Sequence, residues 1–210
     1  MAENKKILEV SKSREILLNI LSRQGYLTDD YVGFSISEIH ALVINNQLDL
    51  LLSKTEDGNG KKVYIKYYNL DKTIRPANIH DIIDDLFNIE EILSKKDDLI
   101  IIIKDEPNEQ LQKLQTSIYI QDGILVTIIN INRLQFNILD HCLVPKHKIL
   151  SEEESEIIKK KYNIMDNNNI PEISRFDPVS QVMCIRPGEI FEIERPSKTA
   201  IINKYYRICS

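Results

Sequence analysis

Apolar and polar residues recur along the chain with two different periods, and the changes of period mark its elements. Ile16, Leu17, Ile20 and Leu21 fall at i, i+1, i+4 and i+5, and the run stops at Gly25, a residue suited to the left-handed position that closes helices. The spacing predicts a helix from Lys6 to Gln24. Leu48-Asp49-Leu50-Leu51-Leu52 and Val63-Tyr64-Ile65-Lys66-Tyr67-Tyr68 flank Asp57-Gly58-Asn59-Gly60, which is the pattern of a β-hairpin. After Pro76, Asn78 is placed to cap a helix over 78–96. Its Ile79, Ile82, Ile83, Leu86 and Leu93 keep helical spacing, with acids early and Lys95-Lys96 at the end. Leu99-Ile100-Ile101-Ile102-Ile103 is an unbroken branched run, as expected of a strand covered on both faces. Pro107 then opens a short helix carrying Leu111 and Leu114, and a last strand is expected near Leu134–Ile138. Strand, helix, strand is the order of an α/β sheet.

Past residue 140 the punctuation changes. Ser151 followed by Glu154 is a capping box that opens an acid-first, lysine-last helix through Lys161, with Ile157 and Ile158 inward. Asp177-Pro178 is a second helix start, and Pro187-Gly188 turns the chain into Glu189–Arg195, where Phe191 and Ile193 alternate with acids. Ile201–Ile208 supplies the partner strand, so two short helices on a small antiparallel sheet are expected.

Charge separates the same two parts. Residues 1–140 carry 16 Lys+Arg against 22 Asp+Glu, net -6, while 141–210 carry 11 against 10, net +1. The first part therefore does not fit a stand-alone nucleic-acid binder of the strongly basic kind. No apolar run approaches the roughly 18 residues of a membrane helix, and the start of the chain lacks the apolar core of a secretory signal; the protein is expected to stay inside the cell or to be packaged from it. The 3 cysteines form no C-x-x-C pair, so neither a disulfide scaffold nor a ribbon-type zinc site is indicated. With 36 Ile and 17 Asn against 6 Gly and no Trp, the composition points to an AT-rich genome.

Catalytic constellations are missing: there is no Gly-rich phosphate loop, no G-x-S-x-G and no H-E-x-x-H. No catalytic residue, cofactor or metal is expected. The one ligand-like cluster, His141-Cys142 and His147 with Cys184 or Cys209, matches no standard zinc spacing. It reads more simply as a junction strand with partly exposed histidines and a buried thiol. A magnesium-dependent nuclease needs an acid and an acid-x-Lys arm on a central strand. The only such arm is Glu3-Asn4-Lys5, at an N-terminus expected to be floppy. Lys159-Lys160-Lys161 suits a solvated helix end, whereas Arg186, Arg195 and Arg207, near strands, suit pairing with a partner's carboxylates. Tyr205-Tyr206 fits an interface anchor and a core position equally.

These residues carry a resemblance. His141-Cys142-Leu143-Val144-Pro145-Lys146-His147, Leu150-Ser151, Lys161-Tyr162, Ile170-Pro171, Asp177-Pro178-Val179, Ile185-Arg186-Pro187-Gly188-Glu189, Arg195–Ala200 and Tyr206-Arg207-Ile208-Cys209 resemble, in order and spacing, the fifth common subunit of eukaryotic RNA polymerases I, II and III and its archaeal relative. Upstream, the Gly25-Tyr26 helix end, the Val63–Tyr68 strand, the 78–96 helix, the Leu99–Ile103 strand and Phe136-Asn137-Ile138 are collinear with the eukaryotic jaw domain.

The resemblance implies an α+β protein: a three-layer α/β jaw with a mixed sheet over 1–140 and a small α+β assembly domain over 141–210, the part shared with the archaeal relative. It implies a non-catalytic subunit of DNA-directed RNA polymerase that docks on the largest subunit through the assembly domain. The jaw helps to wall in downstream duplex DNA. By position, Pro145, His147, Asp177, Pro178, Gly188, Arg195, Thr199 and Arg207 match the family's signature and are the expected docking residues. Lys104, Asn108 and Lys113 are the expected DNA-proximal ones. The site of action is that of transcription, in the nucleus for a cellular polymerase or in virion and host cytoplasm for a viral one. The divergent jaw and AT-biased composition fit a large DNA virus or an AT-rich protist.

Three departures stand out. Lys198 replaces the family's usual Glu, Ile201 replaces the Gly that follows the Ala200 position and puts the hairpin geometry in question, and Lys104–Glu109 is acidic where the jaw loop normally reads Thr-Pro-Ser-Ala. The jaw fold is similar to restriction-endonuclease cores, but the acidic triad is absent, so nuclease activity is not implied. The alternative reading is a stand-alone nucleic-acid-binding or nuclease-like protein using the jaw fold.

Overall fold

Helix α1 spans Ala2–Arg23 and begins ahead of the predicted Lys6, so the N-terminus expected to be floppy is helical. Leu17, Ile20 and Leu21 are buried on its inner face. Gly25 ends it at φ 87, and the Tyr26 N–H returns to the Leu21 carbonyl at 3.1 Å, a closure that favours glycine. The computed structural model describes residues 2–54, 60–70 and 72–210. Two compact units divide the chain, Met1–Asn137 and Ile138–Ser210.

In the first unit, α2 (Ile36–Ile44) follows a Ser35/Glu38 capping box, and β1 (Leu50–Ser53) pairs antiparallel with β2 (Lys62–Tyr67). The hairpin is as predicted, although Asp57-Gly58-Asn59 at its turn lies outside the described residues. α3 (Pro76–Ile83) continues as one wide π-helical stretch, Asp84–Ile89, and ends there rather than at Lys96. Asn78 sits within the first turn, where its Oδ1 accepts the Arg75 N–H at 3.1 Å, so Arg75 and not Asn78 holds the cap position. Leu93 is buried from the following loop.

β3 (Asp98–Ile103) is buried at every residue, in keeping with its unbroken branched run. α4 (Glu109–Asp122) is longer than expected and is capped by Asn108, whose side chain accepts the Leu111 N–H at 3.0 Å. The last strand is β4 (Leu125–Asn130), not Leu134–Ile138. Asn130 stops it by accepting the Asn132 N–H at 2.6 Å, and Ile131–Leu134 becomes a tight 3-10 turn.

The sheet runs β1-β2-β3-β4, with β2, β3 and β4 parallel and β1 antiparallel, a mixed sheet. Leu99, Ile101 and Ile103 pack with Ile79, Ile82 and Leu86 of α3 and its extension, and with Leu111 and Ile118 of α4. On β2, Tyr64 joins that cluster, whereas Tyr67 points the other way, its hydroxyl 3.2 Å from Ser13 of α1. Helices thus cover both faces, which explains why β3 tolerates no polar residue after Asp98. Each fully buried Ile or Leu contributes about 1.5–3 kcal/mol. The edge where β2 and β3 begin is pinned by Asp97, 4% exposed, which accepts the N–H groups of Lys62 (2.6 Å) and Ser94 (2.7 Å) and the Ser94 hydroxyl (2.8 Å).

The second unit contains β5 (Lys146–Ile149), α5 (Glu152–Lys161), β6 (Glu172–Ile173), α6 (Pro178–Val182), β7 (Ile190–Ser197) and β8 (Ile201–Cys209). The sheet order is β5-β7-β8-β6. It is not wholly antiparallel: the short β6 lies parallel to the end of β8, pairing Glu172 with Ile208. The Ser151/Glu154 capping box and the Asp177-Pro178 start form as predicted. Ile158 packs inward, but Ile157 is 63% exposed, because successive helical residues lie about 100° apart. The β7–β8 hairpin closes at Ser197 and Ile201 with Ile201 at φ 58, a conformation a β-branched residue rarely adopts. The hairpin geometry thus survives the loss of glycine.

Candidate partner-binding face

Alternation along the second sheet sorts its side chains into two faces. Ile190, Ile208 and Tyr206 pack with Leu150, Ile158 and Ile170, and Glu192 on that side accepts the Tyr206 hydroxyl at 3.0 Å and pairs with Lys204 at 2.9 Å. The other face carries Phe191, Ile193 and Cys209 against Val179, Met183 and Ile185. The register continues this face outward: His147 pairs with Ile193, Ile193 with Tyr205, and Phe191 with Arg207.

Here the geometry gathers several of the signature residues. The His147 ring lies 5.7 Å from that of Phe191, and its Nδ1 lies 2.7 Å from the Pro145 carbonyl, an acceptor that calls for a proton on Nδ1. Asp177 caps α6 by accepting the Val179 N–H at 2.9 Å, and Pro178 follows it as the first helical residue. Arg195 stands 4.8 Å and Arg207 5.7 Å from the centre of the Tyr205 ring, so one aromatic surface supports both guanidinium groups. Arg195 is exposed; Arg207 is half-buried, and its Nε is inaccessible and without a hydrogen-bond partner. Gly188 and Thr199 stand apart. Gly188 forms the turn before β7 at φ 91, and Thr199 is exposed at the tip of the β7–β8 hairpin. Of the organising pieces of the face, Phe191 was legible only as an alternating strand residue, and Tyr205 as an interface anchor or a core position with nothing in the sequence to choose between them.

Burial is the chief influence on His147 and lowers its proton affinity. The Pro145 carbonyl and Asp177 oppose that effect, while Arg195 and Arg207 add to it. Unfolding returns the ring to its ordinary value of 6.5, so as pH falls the unfolded chain takes up this proton first. The ring's contribution to stability is therefore complete above about pH 6.5 and is lost between that pH and the lowered folded-state value. Melting curves of the wild type and His147→Gln check this: the wild type is expected to lose stability relative to the variant as pH falls below neutrality.

The expected DNA-proximal residues lie in the first unit. Lys104 follows β3, Asn108 is occupied as the α4 cap, and Lys113 is exposed on α4. Their acidic neighbours are engaged: Glu106 receives Arg133 at 2.8 and 3.2 Å, and Asp105 accepts the Thr73 hydroxyl at 2.9 Å. Cys142 is exposed, correcting the expectation of a buried thiol, while Cys184 and Cys209 are buried. Among the described residues no three His, Cys, Asp or Glu side chains converge as metal ligands, and no helix is long and apolar enough to cross a membrane.

Residues 136–209 match the family model described as RNA polymerase Rpb5, C-terminal domain. The chain is 47% identical over 74 residues to the DNA-directed RNA polymerase subunit Rpo5 of Thermococcus kodakarensis, covering 35% of this chain and 89% of the relative. It is 45% identical over 74 residues to the Rpo5 of Pyrococcus abyssi, with the same coverage, and 39% identical over 75 residues to that of Archaeoglobus fulgidus, covering 36% of this chain and 97% of the relative. The matched region is the second unit with its signature residues, and it accounts for nearly all of each relative: the chain belongs to the family of the fifth common RNA polymerase subunit, Rpb5 and Rpo5.

Proposed function

We propose that this part of the polymerase carries out no chemistry of its own and docks on the largest subunit through the face built by His147, Arg195, Tyr205 and Arg207, with Pro145, Asp177 and Pro178 shaping its border. The observation that carries this reading is the pair of guanidinium groups on the Tyr205 ring, neither of which meets a carboxylate of its own chain among the described residues. Exposed Arg beside an aromatic ring is the composition of an interface anchor for acidic partners. Co-expression of the full chain with the largest subunit from the same source tests it. Co-elution on gel filtration is the expected outcome, and separate elution would count against the docking.

In the same proposal the first unit is the jaw and lies beside downstream duplex DNA as a wall rather than a grip. Around the acidic 104–109 loop the one arginine seen to bind it, Arg133, is already held by Glu106, and residues 1–140 carry net -6. The stand-alone nucleic-acid reading predicts duplex affinity falling with salt at a log-log slope of roughly -0.9 per phosphate neutralised. Fluorescence anisotropy on a labelled duplex at low salt is expected to show no saturable binding by the isolated chain. Tight, salt-sensitive binding would instead favour the stand-alone reading.

A further inference from the structure

Arg14 of α1 is 3% exposed and has no carboxylate partner among the described residues. Its Nη1 donates to the Leu48 carbonyl at 3.2 Å, and its Nε is buried with no hydrogen-bond partner. The rings of Tyr31 and Phe34 lie 5.8 and 5.2 Å from its guanidinium carbon. Burial lowers its proton affinity, yet a guanidinium keeps its charge in proteins, so this is a cation held under an incomplete set of partners.

The cation borders a cavity of about 540 Å³ between α1, the 28–34 segment and α2, whose walls include Leu18, Tyr31, Phe34 and Ile39. Val32, also on its wall and 62% exposed, adds apolar surface open to solvent. The only carboxylate on the cavity wall, Glu15, is exposed and makes no ion pair with Arg14.

We propose that this cavity is a docking site for a protein segment that presents an Asp or Glu carboxylate to Arg14 and an adjacent apolar side chain to Phe34 and Val32. Charge complementarity selects an anion, since a planar guanidinium with free donors matches a carboxylate in two-point geometry. Size and surroundings select a peptide over nucleic acid: the volume holds a few side chains and not a duplex, the rim is apolar, and this part of the chain carries net -6. The site belongs to the first unit, whereas the sheet face assigned to the largest subunit belongs to the second, so its success or failure does not depend on that reading.

The test uses the full chain labelled with 15N, following the Arg14 side-chain Nε–H resonance, which Arg14→Lys identifies by its disappearance. The probes are acetyl-Leu-Glu-Phe amide, its Gln counterpart and inorganic phosphate. A saturable shift with the Glu peptide, at least about tenfold weaker with the Gln peptide and absent from Arg14→Met, is the expected result, since a tenfold change corresponds to 1.4 kcal/mol. Phe34→Ala, on the cavity's open side, is expected to weaken the Glu peptide several-fold with the fold intact, which keeps the test valid if Arg14→Met does not fold. Equal response to both peptides, no response to either, or an equal response to phosphate alone (an adventitious ion only) would overturn the proposal.

Discussion

Replacing Arg195 by Glu is expected to lower the affinity of the chain for the largest polymerase subunit about 100-fold while leaving its melting temperature within a few degrees of wild type. The two parts of this outcome have different origins. Arg195 is exposed at the edge of β7, and the contact its own fold would lose is stacking on Tyr205, worth about 0.5–1 kcal/mol at an exposed site. For a chain of this size that is a shift of roughly 2–4 °C. Across an interface, a reversed charge both removes a cation and sets an anion against the partner's acids, typically about 2–5 kcal/mol, and 1.4 kcal/mol is tenfold. Arg207→Glu is a less clean probe. Its half-buried guanidinium lies opposite Phe191, so reversal there is expected to lower both assembly and the stability of the second unit. Titrating each variant against the purified largest subunit, with a melting curve alongside, separates the two effects. Wild-type affinity in Arg195→Glu would remove this residue from the interface.

Asp97→Ala carries the largest expected loss of stability in the first unit, about 3–4 kcal/mol. Its carboxylate binds two backbone N–H groups and a hydroxyl in a nearly water-free site, joining the start of β2 to the turn that launches β3. Alanine would orphan buried donors at about 1–3 kcal/mol each, non-additively. The neighbouring Lys61–Asp98 pair, at 2.6 Å, ties the same corner and limits the damage. Asp97→Asn keeps one acceptor oxygen and is expected to cost about half as much. Amide exchange at Ile100–Ile102 reads this directly: protection there is expected to fall in Asp97→Ala and to fall less in Asp97→Asn. Equal protection in all three proteins would show that the corner is held by other contacts.

These elements differ in how clearly they could be read from the chain. The β3 run was legible because five branched residues in succession leave no polar face, and burial on both sides is the arrangement that satisfies them. The Ser151 and Asp177 helix starts were legible because caps act over three or four residues. The end of α3 was not: Leu93 keeps helical phase, but the chain widens into a π-helical stretch and reaches the core from a loop. The strand at 125–130 was overlooked although Leu125, Val126, Ile128 and Ile129 carry the same signal as β3, because Leu134 and Ile138 offered a later apolar run. At the candidate face, the arginines and His147 stood out by type, whereas their common perch on Tyr205 and Phe191 depends on β-register, which a cross-strand pairing decides. Arg14 gave no signal at all. One of several basic residues on an amphipathic helix reads as solvated until tertiary packing buries it.

The most direct test of polymerase membership through this face is affinity purification of the tagged full chain from its source, followed by lysine cross-linking and mass spectrometry. Lys146, next to His147 on β5, and Lys204, next to Tyr205 on β8, are exposed on the opposite side of the same sheet, within cross-linker reach of a partner seated on the face. Recovery of both large catalytic subunits, with cross-links from these lysines to the largest, is the expected result. Recovery of the chain alone, or of the polymerase with cross-links confined to lysines of the first unit, would contradict it.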